Sequence, residues 1–227
     1  MIGNFKKNKN EKNTYAIIGL GRFGMALAKE LAMANADLIV LDSDEEKVRE
    51  MREYTEEAYV VRNLDRKSLM EAGVQNSDIA VVCIGEKIDT SVLTTSHLVS
   101  MNIPSVIAKA TSADHGLILE KLGAEVVYPE RDIAIRLAHR LENSLVIDYI
   151  QLSEKLNITK LSVSDKMVGK TIQQINFRGR YGVNVIAIEN GKNLTETILP
   201  DYVIKKGDVL FVSGSKNGLN KLVENEK

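Results

Sequence analysis

The chain has 227 residues, of which 44% are hydrophobic and 27% charged, so it has enough apolar material to form the core of a globular protein. Its formal net charge of -1 gives no basic excess, which argues against nucleic acid as a partner. The single cysteine, Cys83, excludes an intramolecular disulfide and lies in an apolar run, so we expect a buried thiol in a cytoplasmic protein.

The first 13 residues are rich in lysine and asparagine and lack the apolar core of a secretory signal, so we predict a disordered lead-in over residues 1–13. No run approaches the roughly 18 consecutive apolar residues that span a bilayer. We therefore expect any connection with a membrane to depend on a partner protein.

From Tyr15 onwards, short β-rich runs alternate with amphipathic stretches, as in proteins built of βαβ units. Several runs are almost entirely apolar, which is typical of parallel strands covered by helices on both faces. The predicted strands are Tyr15–Ile18, Leu38–Leu41, Tyr59–Arg62, Ile79–Ile84, Ser105–Ala108 and Val126–Tyr128. The predicted helices are Arg22–Ala34, Asp44–Glu53, Asp65–Ala72, Thr90–Met101, Ala113–Leu122 and Asp132–Glu142. The pattern predicts an α/β fold with a doubly wound parallel sheet over residues 14–145.

The pattern changes after the sixth helix, and glycines become frequent between the predicted elements. The predicted strands here are Asp148–Leu152, Ile158–Val163, Val183–Glu189 and Val209–Ser213, and the predicted helices are Lys170–Asn176 and Asn217–Glu224. We predict a domain boundary near residue 145, followed by a small α+β domain over residues 146–227. A domain of this size buries little core, so we expect it to dimerise.

Residues 19–24 read Gly-Leu-Gly-Arg-Phe-Gly, directly after the first predicted strand and at the head of a helix. In this GxGxxG arrangement Gly19 allows the tight turn, Gly21 lets the backbone approach a diphosphate, and Gly24 lets the helix pack against the strand. The free N–H groups at the helix N-terminus favour phosphate. The motif therefore predicts a nucleotide-binding loop, which includes Phe23.

Asp42 ends the second predicted strand, eighteen residues beyond Gly24, where a carboxylate can accept hydrogen bonds from the hydroxyls of a ribose. Together with the neighbouring Ser43 it predicts an adenine-nucleotide site, and its charge argues against a 2′-phosphate. The alternative is that Asp42 only caps the helix that starts near Asp44.

Arg22 lies inside the glycine loop and admits two interpretations. It is either a solvent-facing side chain or an arginine aimed at a terminal phosphate, for which a guanidinium has suitable bidentate geometry. The second interpretation favours ATP over NAD as the ligand.

Catalytic groups are not evident in the sequence. The three histidines lie inside predicted helices, where we expect them on helix surfaces or at interfaces: His97, His115 and His139. No GxSxG, HExxH or paired CxxC motif occurs, so nucleophilic and zinc chemistry lack support. We therefore predict that the protein is not an enzyme. The alternatives are a small NAD-dependent oxidoreductase and a Rossmann-type redox-sensing repressor, which would need a DNA-binding module that residues 1–13 do not supply.

Several segments together resemble the RCK family of bacterial potassium-transport regulators. In the first domain the similar segments, which resemble TrkA-N domains, are residues 19–24, Leu41-Asp42 and residues 121–130. In the second domain the similar segments, which resemble TrkA-C domains, are residues 166–170, 181–183 and 206–208. The resemblance covers residues 14–224, and the order and length are most similar to regulators of the KtrA type. It implies a Rossmann-type RCK-N domain followed by an RCK-C domain.

The resemblance also implies an assembly and a function. Such regulators form homodimers that assemble into a homo-octameric ring beneath an integral membrane potassium transporter subunit of the KtrB type. ATP and ADP compete for the N-terminal domain and favour different shapes of the ring, which controls the ion flux. The expected location is the inner face of the cell membrane, through the membrane partner.

Individual residues match positions with roles in that family. Arg22 matches the arginine that contacts the γ-phosphate. Glu130 matches an acidic residue associated with a divalent cation, Mg or Ca, at the interface of the dimer; the alternative is a charge that stabilises a helix N-terminus. Asn63 and Lys109, after the third and fifth strands, are further candidates for the nucleotide pocket.

Relatives in this family also bind cyclic di-AMP between two C-terminal domains. The matching residues are Ile172, Ile175, Phe177, Arg178, Asn184 and Pro200. Arg178 would pair with phosphate and Asn184 would contact an adenine edge, while the apolar residues would enclose the base. The alternative is a plain dimer interface with a solvated Arg178.

Overall fold

A computed structural model describes residues 12–153 and 155–226, so most of the predicted lead-in lies outside the described residues. The chain divides into two compact units, one that extends to Glu130 and one that starts at Arg131. In the described part of the chain, no helix combines the length and the apolar character needed to cross a membrane.

The first unit is built on a six-stranded parallel sheet. The strands are β1 Thr14–Ile18, β2 Asp37–Asp42, β3 Ala58–Val60, β4 Ile79–Val82, β5 Ser105–Lys109 and β6 Glu125–Val127. Their order in the sheet is β3-β2-β1-β4-β5-β6, and every neighbouring pair is parallel. This is the strand order of a Rossmann-type doubly wound sheet, with its switch point between β1 and β4. The fold predicted for the first domain is confirmed.

Helices connect these strands. They are α1 Arg22–Met33, α2 Glu45–Met51, α3 Arg66–Glu71, α4 Ile88–Ser100 and α5 Ala113–Lys121, with a 3-10 turn at Val74–Asn76. Helix α6 Pro129–Glu142 follows β6, and most of it belongs to the second unit. Side-chain caps fix three of the starts, because Asp44, Asp65 and Ser112 each accept a hydrogen bond from a backbone amide of the first turn. Helix α6 begins at Pro129, three residues earlier than predicted, because proline is well suited to the first helical position.

The sheet has a buried apolar layer on each face. Along β1, Ala16 and Ile18 pack in one hydrophobic cluster, whereas Ile17 between them packs in the other. This alternation follows from the strand geometry, which turns successive side chains to opposite faces. Because both faces are covered, the carboxyl edge of the sheet is the place where loops can form a site.

The second unit contains a five-stranded antiparallel sheet, as expected for a small α+β domain. Its strands are β7 Val146–Gln151, β8 Asn157–Ser162, β9 Val183–Asn190, β10 Asn193–Thr195 and β11 Val209–Gly214, in the order β10-β9-β11-β8-β7. Its helices are α7 Ile172–Ile175, α8 Phe177–Tyr181 and α9 Lys216–Glu226.

The strand β10 and the helix α8 of this unit were not predicted from the sequence. The short strand β10 is exposed along its whole length, so it carries no apolar alternation. The predicted helix Lys170–Asn176 is shorter, because Thr171 and Gln174 form a capping box that starts α7 and Asn176 ends it in a left-handed conformation. Helix α8 follows directly from Asn176.

Candidate functional site

A cavity of about 500 Å³ lies at the carboxyl edge of the parallel sheet. The connections after β1, β2, β3, β4 and β5 all contribute to its lining. In an open α/β sheet this edge, at the point where the strand order reverses, is where ligands bind. Its lining residues are Gly19, Gly21, Arg22, Phe23, Leu41, Asp42, Ser43, Lys47, Val61, Arg62, Leu64, Cys83, Ile84, Gly85, Glu86, Lys87, Thr90, Lys109, Thr111 and Glu130.

The glycine loop after β1 has the geometry of a phosphate-binding turn. Gly19 has a φ of 98°, which favours glycine, and a Cβ at Gly24 would lie 1.9 Å from the carbonyl oxygen of Gly19. At Gly21, a Cβ would have no heavy atom of the described residues within 4 Å, apart from those of Gly21 and its two chain neighbours. The backbone at Gly21 is therefore open to a ligand, and Gly21 is also the residue from which α1 starts.

Asp42 joins three segments at the end of β2. Its Oδ2 atom accepts a hydrogen bond from the backbone amide of Leu20 at 2.5 Å, and its Oδ1 atom accepts one from the amide of Asp44 at 2.8 Å. The cap of α2 is Asp44, which accepts from the amide of Glu46 at 3.0 Å. Asp42 is therefore not the cap of this helix. Its carboxylate keeps free lone pairs beside the cavity, as recognition of ribose hydroxyls requires.

An ion pair in the lining of the cavity joins the end of β5 to the start of α6. The Lys109 Nζ atom is 2.5 Å from the Glu130 Oε1 atom. The hydrogen bond from Lys109 holds the pKa of the Glu130 carboxyl below its ordinary value, and the positive charge of Arg22 contributes in the same direction. Arg22, Lys109 and Glu130 thus form one electrostatic cluster.

The structure brings most of the predicted nucleotide residues together. Seven of them line the cavity, and so does Glu130, the predicted metal residue: Gly19, Gly21, Arg22, Phe23, Asp42, Ser43 and Lys109. Gly24 lies behind the loop, against Gly19. Asn63 is exposed and lines a different groove beside β3, although its neighbours Arg62 and Leu64 do line the cavity.

Other lining residues were missed by the sequence analysis. The most relevant are Lys47 on α2, Arg62 after β3, and residues 85–87 after β4. The available signal was the strand pattern itself, because the carboxyl ends of parallel strands share one edge and β4 lies beside β1 at the switch point. The segment after β4 could thus have been predicted as part of the site.

Cys83 lies in the wall of the cavity and is buried, as predicted. Burial raises the pKa of its thiol to about 12. The thiol is therefore protonated at neutral pH and makes no candidate nucleophile.

The histidines differ from one another in their surroundings. His115 is fully buried, which corrects the prediction of a surface or interface position, and burial lowers its pKa. The His115 Nδ1 atom is 3.4 Å from the hydroxyl oxygen of Thr111. The ring of His139 stacks at 4.1 Å on that of Tyr149. The described lining of the cavity includes neither of these histidines nor His97.

The residues predicted to bind a second ligand in the C-terminal unit are divided between surface and core. Ile175 and Phe177 are buried in the hydrophobic core of this unit. Arg178 and Asn184 are exposed and paired, with 2.8 Å between Arg178 Nε and Asn184 Oδ1.

Two further members of that predicted set lie around α7. Ile172 is half-buried at the start of α7, and Pro200 is exposed. The Pro200 carbonyl accepts a hydrogen bond from the Gln173 amide at 2.8 Å, which places Pro200 beside this helix.

The candidate metal residue Glu130 forms an ion pair in this structure. Its carboxylate is bound to Lys109. Over residues 12–153 and 155–226, no group of three or more His, Cys, Asp or Glu side chains is placed to hold a metal ion. Among these described residues, Glu130 therefore lacks the further oxygen ligands that a divalent cation requires.

Together, a glycine loop at the switch point of a parallel sheet and an acidic residue at the end of β2 define a Rossmann-type nucleotide-binding domain, followed here by an α+β domain. Residues 15–129 match the TrkA-N domain family and residues 160–226 match the TrkA-C domain family. The chain belongs to the TrkA-type family of potassium uptake proteins, which confirms the resemblance found in the sequence.

Two relatives that match almost the whole chain are potassium uptake proteins. The chain is 35% identical to Ktr system potassium uptake protein C of Bacillus subtilis (strain 168), over 92% of this chain and 96% of the relative. It is 33% identical to Ktr system potassium uptake protein A of the same organism, over 97% of each chain.

The fold is also found in a solved structure. The RCK domain of GsuK superimposes with a TM-score of 0.64 at 20% identity, over 97% of this chain and 49% of the GsuK chain. At this identity the similarity establishes the fold alone.

Proposed function

We propose that the chain is the regulatory subunit of a Ktr-type potassium uptake system and that it senses ATP and ADP instead of catalysing a reaction. The observation that carries this proposal is the cavity at the switch point. It combines an open glycine loop at Gly21, a carboxylate at Asp42 and two cations, Arg22 and Lys109. These are the groups needed for a phosphate chain at one end and a ribose at the other.

Regulation requires that the ligands differ in their affinity for two states of the protein. ATP and ADP differ by one phosphate, so the residue that contacts this phosphate decides which state is favoured. In our proposal this residue is Arg22, which is exposed at the mouth of the glycine loop. A ligand with equal affinity for both states would not change their populations.

We further propose that the chain forms homodimers and an octameric ring, which docks on a membrane subunit of the KtrB type. Exposed apolar side chains support self-association: Leu93 on α4, Leu117 and Ile118 on α5, and Ile133 and Leu141 on α6. A divalent cation at Glu130 would need further ligands from nucleotide phosphates or from a second chain.

Cyclic di-AMP is our proposed second ligand, at the surface of the C-terminal unit. The favouring observation is the Arg178–Asn184 pair, which presents a guanidinium and an amide side by side. Titration of the full chain with cyclic di-AMP tests this proposal. Arg178→Ala should abolish the binding, whereas the exposed Lys192→Ala serves as a charge-matched control; equal binding by both variants would contradict the assignment.

Calorimetric titration with ATP, ADP, AMP and adenosine tests the main proposal. We expect one adenine-nucleotide site per chain and competition between ATP and ADP. The same sample, incubated with NAD or NADH and simple alcohols or ketones, should show no change in absorbance at the wavelength of NADH. Hydride transfer would favour the oxidoreductase alternative.

A further inference from the structure

Lys109 and Glu130 form an ion pair in the lining of the candidate nucleotide cavity. Lys109 is the last residue of β5, and a Cβ at Gly85 would lie 3.5 Å from its Nζ atom. The ammonium group therefore lies against the connection after β4, which forms part of the cavity wall. Glu130 reaches it from the first turn of α6.

Both partners of this pair line the cavity together with the glycine loop, where phosphate is expected to bind. Arg22, in the glycine loop, lines the same cavity as Lys109 and Glu130, and its positive charge acts on the Glu130 carboxyl. Asp42, the candidate ribose ligand, is instead bound to the amides of Leu20 and Asp44.

The two partners differ strongly in exposure. The Lys109 side chain is 12% exposed, whereas the Glu130 side chain is 64% exposed. The carboxylate can therefore leave the pair and become solvated at little cost, since an exposed ion pair contributes little free energy. The ammonium group is mostly enclosed and needs an anionic partner where it lies.

We propose that Lys109 recognises a phosphate of the nucleotide and that Glu130 holds this lysine only until the ligand displaces it. This inference rests on the proposed nucleotide site. A phosphate carries more negative charge than a carboxylate and accepts several hydrogen bonds, so it competes well for the ammonium group. Glu130 thus acts as an internal competitor, and phosphate binding releases its carboxylate at the start of α6.

The competition predicts opposite effects for the two partners. Glu130→Gln removes the competing charge and should strengthen binding of ADP by about 2- to 5-fold, the range expected for loss of a largely exposed ion pair. Lys109→Gln should weaken binding of ADP by roughly 10- to 100-fold, since a charge-assisted hydrogen bond is lost. Adenosine has no phosphate and should bind all variants alike.

Calorimetric titration of the full chain with ADP and adenosine tests the proposal, with the unfolding temperature of each variant as a check on the fold. Lys67→Gln and Glu71→Gln are matched controls, because they change the same charges in an exposed ion pair that lies outside the lining of the cavity. The double variant Lys109→Gln/Glu130→Gln should bind ADP as Lys109→Gln does, because Glu130 has nothing left to compete for.

Additive effects of the two substitutions, or an unchanged ratio of ADP to adenosine affinity in Lys109→Gln, would overturn the proposal while leaving the nucleotide site intact. If Lys109→Gln does not fold, Glu130→Gln decides alone, since unchanged ADP affinity in that variant contradicts competition. A wild-type protein that binds neither ligand would overturn the proposed function together with this inference.

Discussion

Asp42 is hydrogen-bonded to Leu20, with 2.5 Å between the Asp42 Oδ2 atom and the Leu20 backbone nitrogen. This contact connects the end of β2 to the glycine loop after β1, two segments that lie 22 positions apart in the chain. One side chain therefore both shapes the phosphate-binding turn and borders the expected ribose position. The recognition of the two ends of a nucleotide is physically linked through Asp42.

Asp42→Asn should weaken the binding of adenosine, ADP and ATP by a similar factor of about 10. The amide has a single acceptor oxygen, so it cannot keep both backbone hydrogen bonds and also receive the ribose hydroxyls. Calorimetric titration with the three ligands measures this. Asp44→Asn is the control, because it changes a helix cap outside the lining of the cavity. An unchanged affinity for adenosine in Asp42→Asn would show that the ribose assignment is wrong.

Arg22→Ala should weaken the binding of ATP about 10-fold or more, whereas the affinity for ADP should change much less, because the proposed contact is with the γ-phosphate. Competition between ATP and ADP at fixed total nucleotide gives the ratio directly. Lys67→Ala removes an exposed cation outside the lining of the cavity and should leave the ratio unchanged. Equal losses for ATP and ADP in Arg22→Ala would contradict the proposed role.

The glycine loop allows stability and binding to be separated with two substitutions. Gly24→Ala places a methyl group 1.9 Å from the Gly19 carbonyl oxygen and should lower the free energy of unfolding by about 1–3 kcal/mol. In Gly21→Ala the new methyl group meets open space, so the free energy of unfolding should change by less than about 0.5 kcal/mol. The same methyl group occupies the path of the diphosphate, so the nucleotide affinity should fall.

Thermal unfolding and ADP titration of both glycine variants provide the measurement. Full ADP affinity in Gly21→Ala would place the phosphates away from this loop. An unchanged unfolding temperature in Gly24→Ala would contradict the described packing of α1 against β1.

The thiol of Cys83 should be unreactive in the folded protein. Burial raises its pKa to about 12, so the fraction of thiolate at pH 8 is far smaller than for a free cysteine with its pKa near 8.5. Alkylation with iodoacetamide at pH 8, followed by mass spectrometry, should be slow in the native state and rapid in guanidinium. Rapid labelling of the native protein would contradict the burial of this side chain.

The sequence was sufficient to predict the elements that repeat in a regular pattern. The parallel sheet follows from apolar runs such as β1 and β4, and the glycine loop follows from the spacing of Gly19, Gly21 and Gly24. Asp42 could be predicted because its position at the end of β2 is fixed by the same pattern. These signals are local, so they need no knowledge of tertiary contacts.

Contacts between distant elements could not be predicted in this way. The Lys109–Glu130 pair joins the end of β5 to the start of α6, and periodicity does not indicate which side chains meet at an edge. Ile175 and Phe177 show a related difficulty. They were predicted as part of a ligand site, yet they are buried in the core of their own unit, and an apolar side chain looks the same in either position.

The central claim is that adenine nucleotides change the assembly of this protein. The most direct test is light scattering with small-angle X-ray scattering of the full chain, saturated in turn with ATP and with ADP. The account predicts one oligomer of constant mass whose scattering profile differs between the two ligands. A monomer with identical profiles in ATP, ADP and buffer would contradict it.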